Sequence, residues 1–253
     1  MGCFIERKTM SDKIRMFIGS SSNGEDSPIE AVYEYSLRKN SSQDIDIVWM
    51  KQTNDPTSFW HGFRAYNWPT PFSGYRWVIA EYCNFEGRAI YTDCDMINFK
   101  DIAELWNTDM QGKPIAARKG TRFGGHEFCV MLIDCAEFKK YADVPVQRQK
   151  TLDTYHQRCI AHFSGNDKLV HELDPRWNCL DGENYKIEDL WHLHYTNMSS
   201  QPWRPGWYNG EPTEHPRSDL VELFEDMLIE ANDAGYDGQP AEYPPFQYQI
   251  IGR

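Results

Sequence analysis

Two aspartates one residue apart close an apolar run, Ala89-Ile90-Tyr91-Thr92-Asp93-Cys94-Asp95. Side chains at i and i+2 of an extended chain point the same way, so Asp93 and Asp95 are expected to aim at one point. That point lies past the C-terminal end of a strand, where open α/β sheets place their ligands. Carboxylates are hard oxygen donors suited to Mg²⁺ or Mn²⁺, with coordination positions left for phosphate oxygens and water. The plain alternative is a strand ended by a capping aspartate and a turn aspartate. Asp44-Ile45-Asp46 repeats the pattern and shows what separates the two cases. There the aspartates open a strand and alternate with Ile45, Ile47 and Trp49, which reads as the wet side of a half-buried strand.

The elements around the motif follow an α/β rhythm. Ile14–Ile18 reads as a first strand, followed by the Gly/Ser loop 19–24, which matches no phosphate-loop pattern. Ser27-Pro28-Ile29-Glu30 reads as a helix start with a capping box, and Ile29, Val32, Tyr33, Ser36 and Leu37 make one apolar face. With a strand at 44–50 this gives a βαβ unit. A loop with Phe59, Trp60, Phe63, Tyr66 and Trp68 leads to an expected helix over 70–83 that carries Arg76 beside its apolar stripe. A short helix from Asp101, strands at 114–118 and 129–134, and helices at 136–141 and 146–162 follow. Residues 163–212 read mostly as loop, with one alternating segment at 190–195 that sets His192 and His194 on one face. A helix over 218–231 ends the regular structure, and the tail from Gly235 reads as extended. The expected division is a leader 1–13, a catalytic domain 14–212, and a C-terminal helix and tail 213–253 packed on it.

Composition narrows the function. The chain has 253 residues, ample for a sizeable core, and a net charge of −12. Nucleic acid and anionic membranes recruit Lys and Arg, so an acidic chain without a basic run fits neither. An anionic small substrate would have to be met locally, by a metal or a few placed cations. Seven cysteines without a Cys-x-x-Cys indicate neither a disulfide framework nor a zinc site, and free thiols in a reducing, cytoplasmic setting are expected. Cys94 reads as a small residue in a tight turn, since nothing near it in sequence would activate the thiol. Nine Trp and fourteen Tyr offer flat faces for sugars or simply fill the core.

Phe72-Ser73-Gly74-Tyr75-Arg76, Gly87-Arg88-Ala89 running into the Asp-x-Asp, Asp101-Ile102-Ala103-Glu104-Leu105-Trp106, Cys129–Cys135, and His194-Tyr195-Thr196 with Pro202-Trp203 occur in that order. The ordered set, over about residues 14 to 207, resembles glycosyltransferase family 8. The resemblance implies a GT-A (Rossmann-like) mixed sheet flanked by helices, with a C-terminal helical and loop extension. It further implies a nucleotide-sugar donor, usually a UDP-sugar, a glycan or other hydroxyl acceptor, and Mn²⁺ or Mg²⁺ held by Asp93, Asp95 and His194. Donor contacts are implied at Ile18, Gly19, Ser20, Arg76, Asp93, Cys94, Gln201 and Trp203. Asn166 and Asp167 are implied near the anomeric carbon, and Glu127 at a sugar hydroxyl. Gln201 stands where the family has a lysine for the diphosphate, with Arg204 as the nearby cation that could replace its charge. Retention of configuration is what the family implies. The acceptor site is expected from the aromatic loop 59–68 and the Trp203–Tyr208 segment.

Two rivals remain at this stage. A phosphohydrolase with an Asp-x-Asp nucleophile needs Thr or Val two residues after the second Asp, where this chain has Ile97. A degenerate transferase fold that binds sugar or nucleotide without turnover fits the missing lysine.

Overall fold

The computed structural model describes residues 13–63, 68, 70, 72–120, 124–142, 153–205 and 213–239. The apolar runs seen in the sequence become strands β1 (Ile14–Gly19), β2 (Ile45–Met50), β3 (Arg88–Asp93), β5 (Ile115–Lys119) and β6 (His126–Asp134). With β7 (Val170–Glu172) they form a six-stranded sheet in the order β2-β1-β3-β6-β5-β7. β1 pairs in parallel with β2 and β3, and β5 with β7, while β6 runs antiparallel to both β3 and β5. The sheet is therefore mixed, and helix α1 (Ser27–Asn40) makes the parallel crossover from β1 to β2 that the spacing predicts. A second sheet of three short strands runs in the order β4 (Met96–Asn98), β9 (His192–His194), β8 (Cys179–Leu180).

Side chains on the two faces of the large sheet feed separate apolar cores. Phe17, Tyr91 and Met131 belong to one, and Met16, Ile90 and Leu132 to the other. A third core lies under helix α6 (Ser218–Asp233), where Leu220, Phe224, Met227 and Ala231 pack with Ile29 and Val32 of α1. Asp44, just before β2, and Asp46 on it face solvent, as the alternation there predicts. No described helix is long and apolar enough to cross a membrane. The six described cysteines are free thiols, and Cys3 lies outside the described residues.

Several elements differ from expectation. Helix α1 has Asp26 at its N-cap position and Ser27 inside the first turn, so no capping box forms. Glu30 instead accepts hydrogen bonds from Ser20 and from Lys51 at 2.7 Å, which ties the helix to the loop after β1. The helix expected over 70–83 is short. A 3₁₀ turn at Tyr75–Val78 leads into α2 (Ile79–Tyr82). Ser73 and Gly74 are poor helix formers, and Arg76 Nε takes the Ser73 carbonyl at 2.8 Å, an oxygen that a longer helix would use itself. Left-handed Asn84 and Phe85 then end the segment. Helix α3 (Ile102–Trp106) has the expected Asp101 cap, whose carboxylate accepts from Ala103 N. Helix α4 (Cys135–Phe138) is shorter than expected and α5 (Asp153–Phe163) begins within the expected 146–162, of which residues 146–152 lie outside the described part. β9 falls within the alternating segment expected at 190–195, and the rest of residues 163–205 carries more structure than the loop read from sequence: β7, β8 and 3₁₀ turns at Pro175–Asn178 and Ile187–Asp189.

Candidate active site

Asp93 is the last residue of β3, and the chain bends at Cys94-Asp95 before entering β4. The two carboxylates thus reach one cavity through a bend and not by continued extension. β9 pairs antiparallel to β4 with His194 opposite Met96, and Tyr195 N donates to Asp95 O at 3.0 Å. This pairing carries His194 to the motif: its Nε2 lies 3.3 Å from Asp95 Oδ1.

Each ligand candidate is fixed from behind. Asp93 Oδ1 accepts from Arg76 Nη2 at 3.1 Å and from the Tyr91 hydroxyl. Arg76 is buried, its guanidinium stands 4.5 Å from the Tyr91 ring centre, and it also donates to the carbonyls of Ser73 and Phe128. Gly19 makes this packing possible. A Cβ there would lie 2.6 Å from Phe72 and 3.1 Å from the Tyr91 hydroxyl oxygen. Asp95 Oδ2 accepts from Gln201 Nε2 at 2.9 Å, and the same nitrogen donates to Tyr195 O at 2.7 Å. His194 Nδ1 lies 3.0 Å from Asn178 Oδ1. Asn178 Nδ2 donates to Glu127 Oε2 at 3.5 Å, which sets the amide so that its oxygen accepts from Nδ1–H and Nε2 is turned toward Asp95. Burial works against a charged His194 imidazole, but Asp95, Asp93 and Asp181 outweigh it and raise its pKa above the ordinary value.

The cavity encloses about 420 Å³. Arg76, Asp93, Asp95, Glu127, Cys129 and His194 line its polar side, and Trp68, Phe128, Ile160, Leu180 and Met198 its apolar side. Asp93, Cys129 and His194 each offer one donor atom within 4.8 Å of the others. Asp95 Oδ1 is buried and faces His194 Nε2. Two carboxylates beside an imidazole are a donor set that fits a divalent cation.

Other sequence-derived candidates fall elsewhere. Ile18 is buried in the core and Ser20 is turned to Glu30, so neither lines the cavity. Cys94 packs into the same core as Ile18. Trp203 is buried against Tyr195 and Phe224 and donates to Asp26 Oδ1 at 3.1 Å. Arg204 is held by Asp26 at 2.9 Å and by Gln201, and is not part of the cavity wall. Asn166 and Asp167 occupy the turn after α5. Asp167 is 67% exposed and faces Lys119 at 3.5 Å and His126 at 3.6 Å, outside the cavity wall. Glu127 does line the cavity, 3.1 Å from Arg118 Nε. Of the aromatic loop, Trp60 and Phe63 are core residues, Trp60 stacking on Tyr75 and Tyr82, and Trp68 alone joins the cavity wall among the described ones. Tyr66, Trp207 and Tyr208 lie outside the described residues.

Sequence reasoning missed His156, His126, Asn178 and Cys129. His156 lines the cavity from α5, and its Nδ1 accepts from Trp77 Nε1 at 2.7 Å. Burial and the nearby Arg76 push its pKa down to about 3. It is therefore neutral near pH 7 with the ring proton on Nε2. No sequence motif marks it; the only signal is that His156 shares the buried side of its helix with Tyr155, Cys159 and Phe163, while His162 on the same helix is exposed.

The model of glycosyl transferase family 8 matches residues 74–149, which include the Asp-x-Asp. The glycosyltransferase GlyA of Streptococcus pneumoniae serotype 4 is 25% identical over 158 residues, 53% of this chain and 23% of GlyA. The chain thus spans about a quarter of the length of that curated relative. An active-site mutant of LgtC superposes with a TM-score of 0.58 at 14% identity, over 86% of this chain and 96% of LgtC. GlyE of S. pneumoniae TIGR4 superposes with a TM-score of 0.57 at 16% identity, over 90% of this chain and 66% of that one. The likeness to glycosyl transferase family 8 thus covers residues 74–149, and the curated relative and the structural neighbours are glycosyltransferases. The structural neighbours share the GT-A fold, and the six-stranded mixed sheet flanked by helices is that fold. LgtC has also been crystallised with donor and acceptor sugar analogues, at a TM-score of 0.54 to this chain. Within this fold the Asp-x-Asp bend closes β3 on the same cavity that His194 enters from β9.

Proposed function

We propose that the protein transfers a sugar from a UDP-sugar to a hydroxyl of a glycan or similar acceptor, with Mn²⁺ or Mg²⁺ as cofactor and with retention at the anomeric carbon. The observation that carries this reading is the convergence of Asp93, Asp95 and His194 in one cavity beside Arg76. The resemblance to family 8 supports the donor class and the stereochemical course.

Asp93, Asp95 and His194 would hold the cation. When bound, it supplies Lewis-acid stabilisation of the departing nucleoside diphosphate. The protein's own groups do the rest. Arg76 and Tyr91 hold Asp93, Gln201 holds Asp95, and Asn178 holds the His194 ring, so the polar wall is set before substrate arrives. His156 presents an Nε2–H to a sugar hydroxyl as a neutral donor. Trp68, Phe128, Leu180 and Met198 keep water from the reacting carbon and provide apolar faces for the sugar.

A thermal-shift screen of UDP-, GDP- and CMP-sugars, each with Mn²⁺ and with EDTA, tests the reading. A ligand that binds only the native state raises its stability by mass action. UDP-sugars should raise the melting temperature with Mn²⁺ and not with EDTA. No shift with any donor would overturn the proposal. One observation favours a second reading, binding without turnover: Gln201 is committed to Asp95 and brings no charge to a diphosphate. Mn²⁺-dependent donor hydrolysis would exclude it.

A further inference from the structure

The cavity holds a fourth donor that the Asp-x-Asp pattern does not supply. The antiparallel β3–β6 ladder ends at the pair Thr92–Val130, and Asp93 and Cys129 are the next residues on their two strands. Neighbouring residues across such a ladder put their side chains close together. The half-buried Cys129 thiol is free, lines the cavity, and has its sulfur within 4.8 Å of both a carboxylate oxygen of Asp93 and a ring nitrogen of His194. Arg76 and Tyr91 both bind Oδ1 of Asp93, and the Cys129 thiol is hydrogen-bonded to the same carboxylate, so a cation entering here would meet sulfur and carboxylate side by side. Buried Asp95 Oδ1 lies 3.3 Å from His194 Nε2.

We propose that Cys129 is a ligand of the divalent cation, so that this chain binds it through oxygen, nitrogen and sulfur together. The inference rests on the metal-dependent reading above. Sulfur coordination replaces the S–H bond with an S–metal bond and releases the proton to solvent. Mg²⁺ gains little from a thiolate, whereas Co²⁺ and Zn²⁺ bind Cys, His and carboxylate together. The centre therefore prefers softer ions than two carboxylates and an imidazole alone would select.

The test uses the full chain, reduced and freed of metal, titrated with Co²⁺. Wild type should develop the intense near-ultraviolet thiolate-to-cobalt charge-transfer band, saturating at one ion. Cys129→Ser should bind Co²⁺ without that band and at least about tenfold more weakly, while its Mg²⁺ affinity changes by less than about threefold. Circular dichroism and the melting temperature establish that the variant is folded, and Cys129→Ala provides a second variant with no donor at all. A band that persists in Cys129→Ser, or Co²⁺ binding to wild type with no band, overturns the proposal and leaves the carboxylate and histidine site standing. No Co²⁺ or Mn²⁺ binding to wild type overturns both.

Discussion

Arg76 and Asp93 form an ion pair in which neither side chain is more than 13% exposed. Breaking a buried pair leaves one charge without compensation, at a cost of about 3–5 kcal/mol. Arg76→Met should therefore lower unfolding free energy by about 3 kcal/mol, and adding Asp93→Asn should restore part of the loss, since the neutral amide no longer needs the cation. Denaturant titrations of the two single variants and the double variant give the coupling; strict additivity would show that the pair is not energetically linked. Asp95 is read through turnover instead, since its loss also takes a carboxylate from the buried His194 imidazole and from Gln201: Asp95→Ala should lower Mn²⁺-dependent donor hydrolysis by at least about 100-fold. At this scale residue type and spacing alone pointed to Asp93 and Asp95, while Arg76 and His194 were named through the ordered resemblance; the fold brings all four to one cavity. Neither route singled out Cys129 or His156. A cysteine in an apolar strand and a histidine in a helix look like packing residues until the fold shows what stands opposite.

At the scale of elements, the site depends on pieces too short to show a period. β4 and β9 have three residues each, β8 two, and the turn that carries Asn178 four. Two or three residues give no period to read, so β7, β8 and the turn that carries Asn178 were lost in a connection read mostly as loop, whereas the alternating run 190–195 did mark the strand that delivers His194. The capping box failed for a related reason. Ser27-x-x-Glu30 is a local pattern, and long-range partners, Ser20 and Lys51, took the glutamate. By contrast β1, α1, β2, β3 and α6 are long enough for their apolar stripes to fix them. Asn178 offers a test of the short elements. It is buried, its carbonyl accepts from the buried Arg118, and its amide oxygen faces His194 Nδ1. Asn178→Ala keeps the backbone contact and frees the imidazole to rotate. Loss of such an outer partner costs about 10–100-fold in metal affinity. Competition of Mn²⁺ against a fluorescent chelator should show a loss of that size, with a smaller loss in Asn178→Asp, which keeps an acceptor at Nδ1. Unchanged affinity in Asn178→Ala would mean that the strand pairing alone orients His194.

For the whole molecule, two buried groups pull stability in opposite directions as pH falls. His156 is held neutral, its pKa pushed from 6.5 to about 3 by burial first and by Arg76 second. The unfolded chain takes up its proton from about pH 6.5 downward and the folded protein does not, so stability is lost on acidification. Asp26 is the reverse. Burial, opposed mainly by Arg204, raises its pKa from 3.8 to about 6, so the folded protein binds a proton before the unfolded chain does. Its contribution is fully present below about pH 3.8 and is lost as pH rises through about 6. Between pH 7.5 and 5 the histidine should cost about 2 kcal/mol and the aspartate should return about 1.4 kcal/mol, and each masks the other. Single variants separate them. His156→Gln keeps an acceptor for Trp77 and does not titrate. Its stability difference from wild type should move by about 2 kcal/mol in the variant's favour on going from pH 7.5 to 5. Asp26→Asn keeps acceptors for Trp203 and Arg204, and its difference should move about 1.4 kcal/mol against the variant over the same interval. Because each comparison is with wild type at the same pH, the other titrating groups cancel. Urea unfolding of the three proteins at the two pH values measures both shifts. A His156→Gln difference that stays flat would show that this imidazole titrates alike in the folded and unfolded chains, and would remove the neutral Nε2–H donor from the cavity wall.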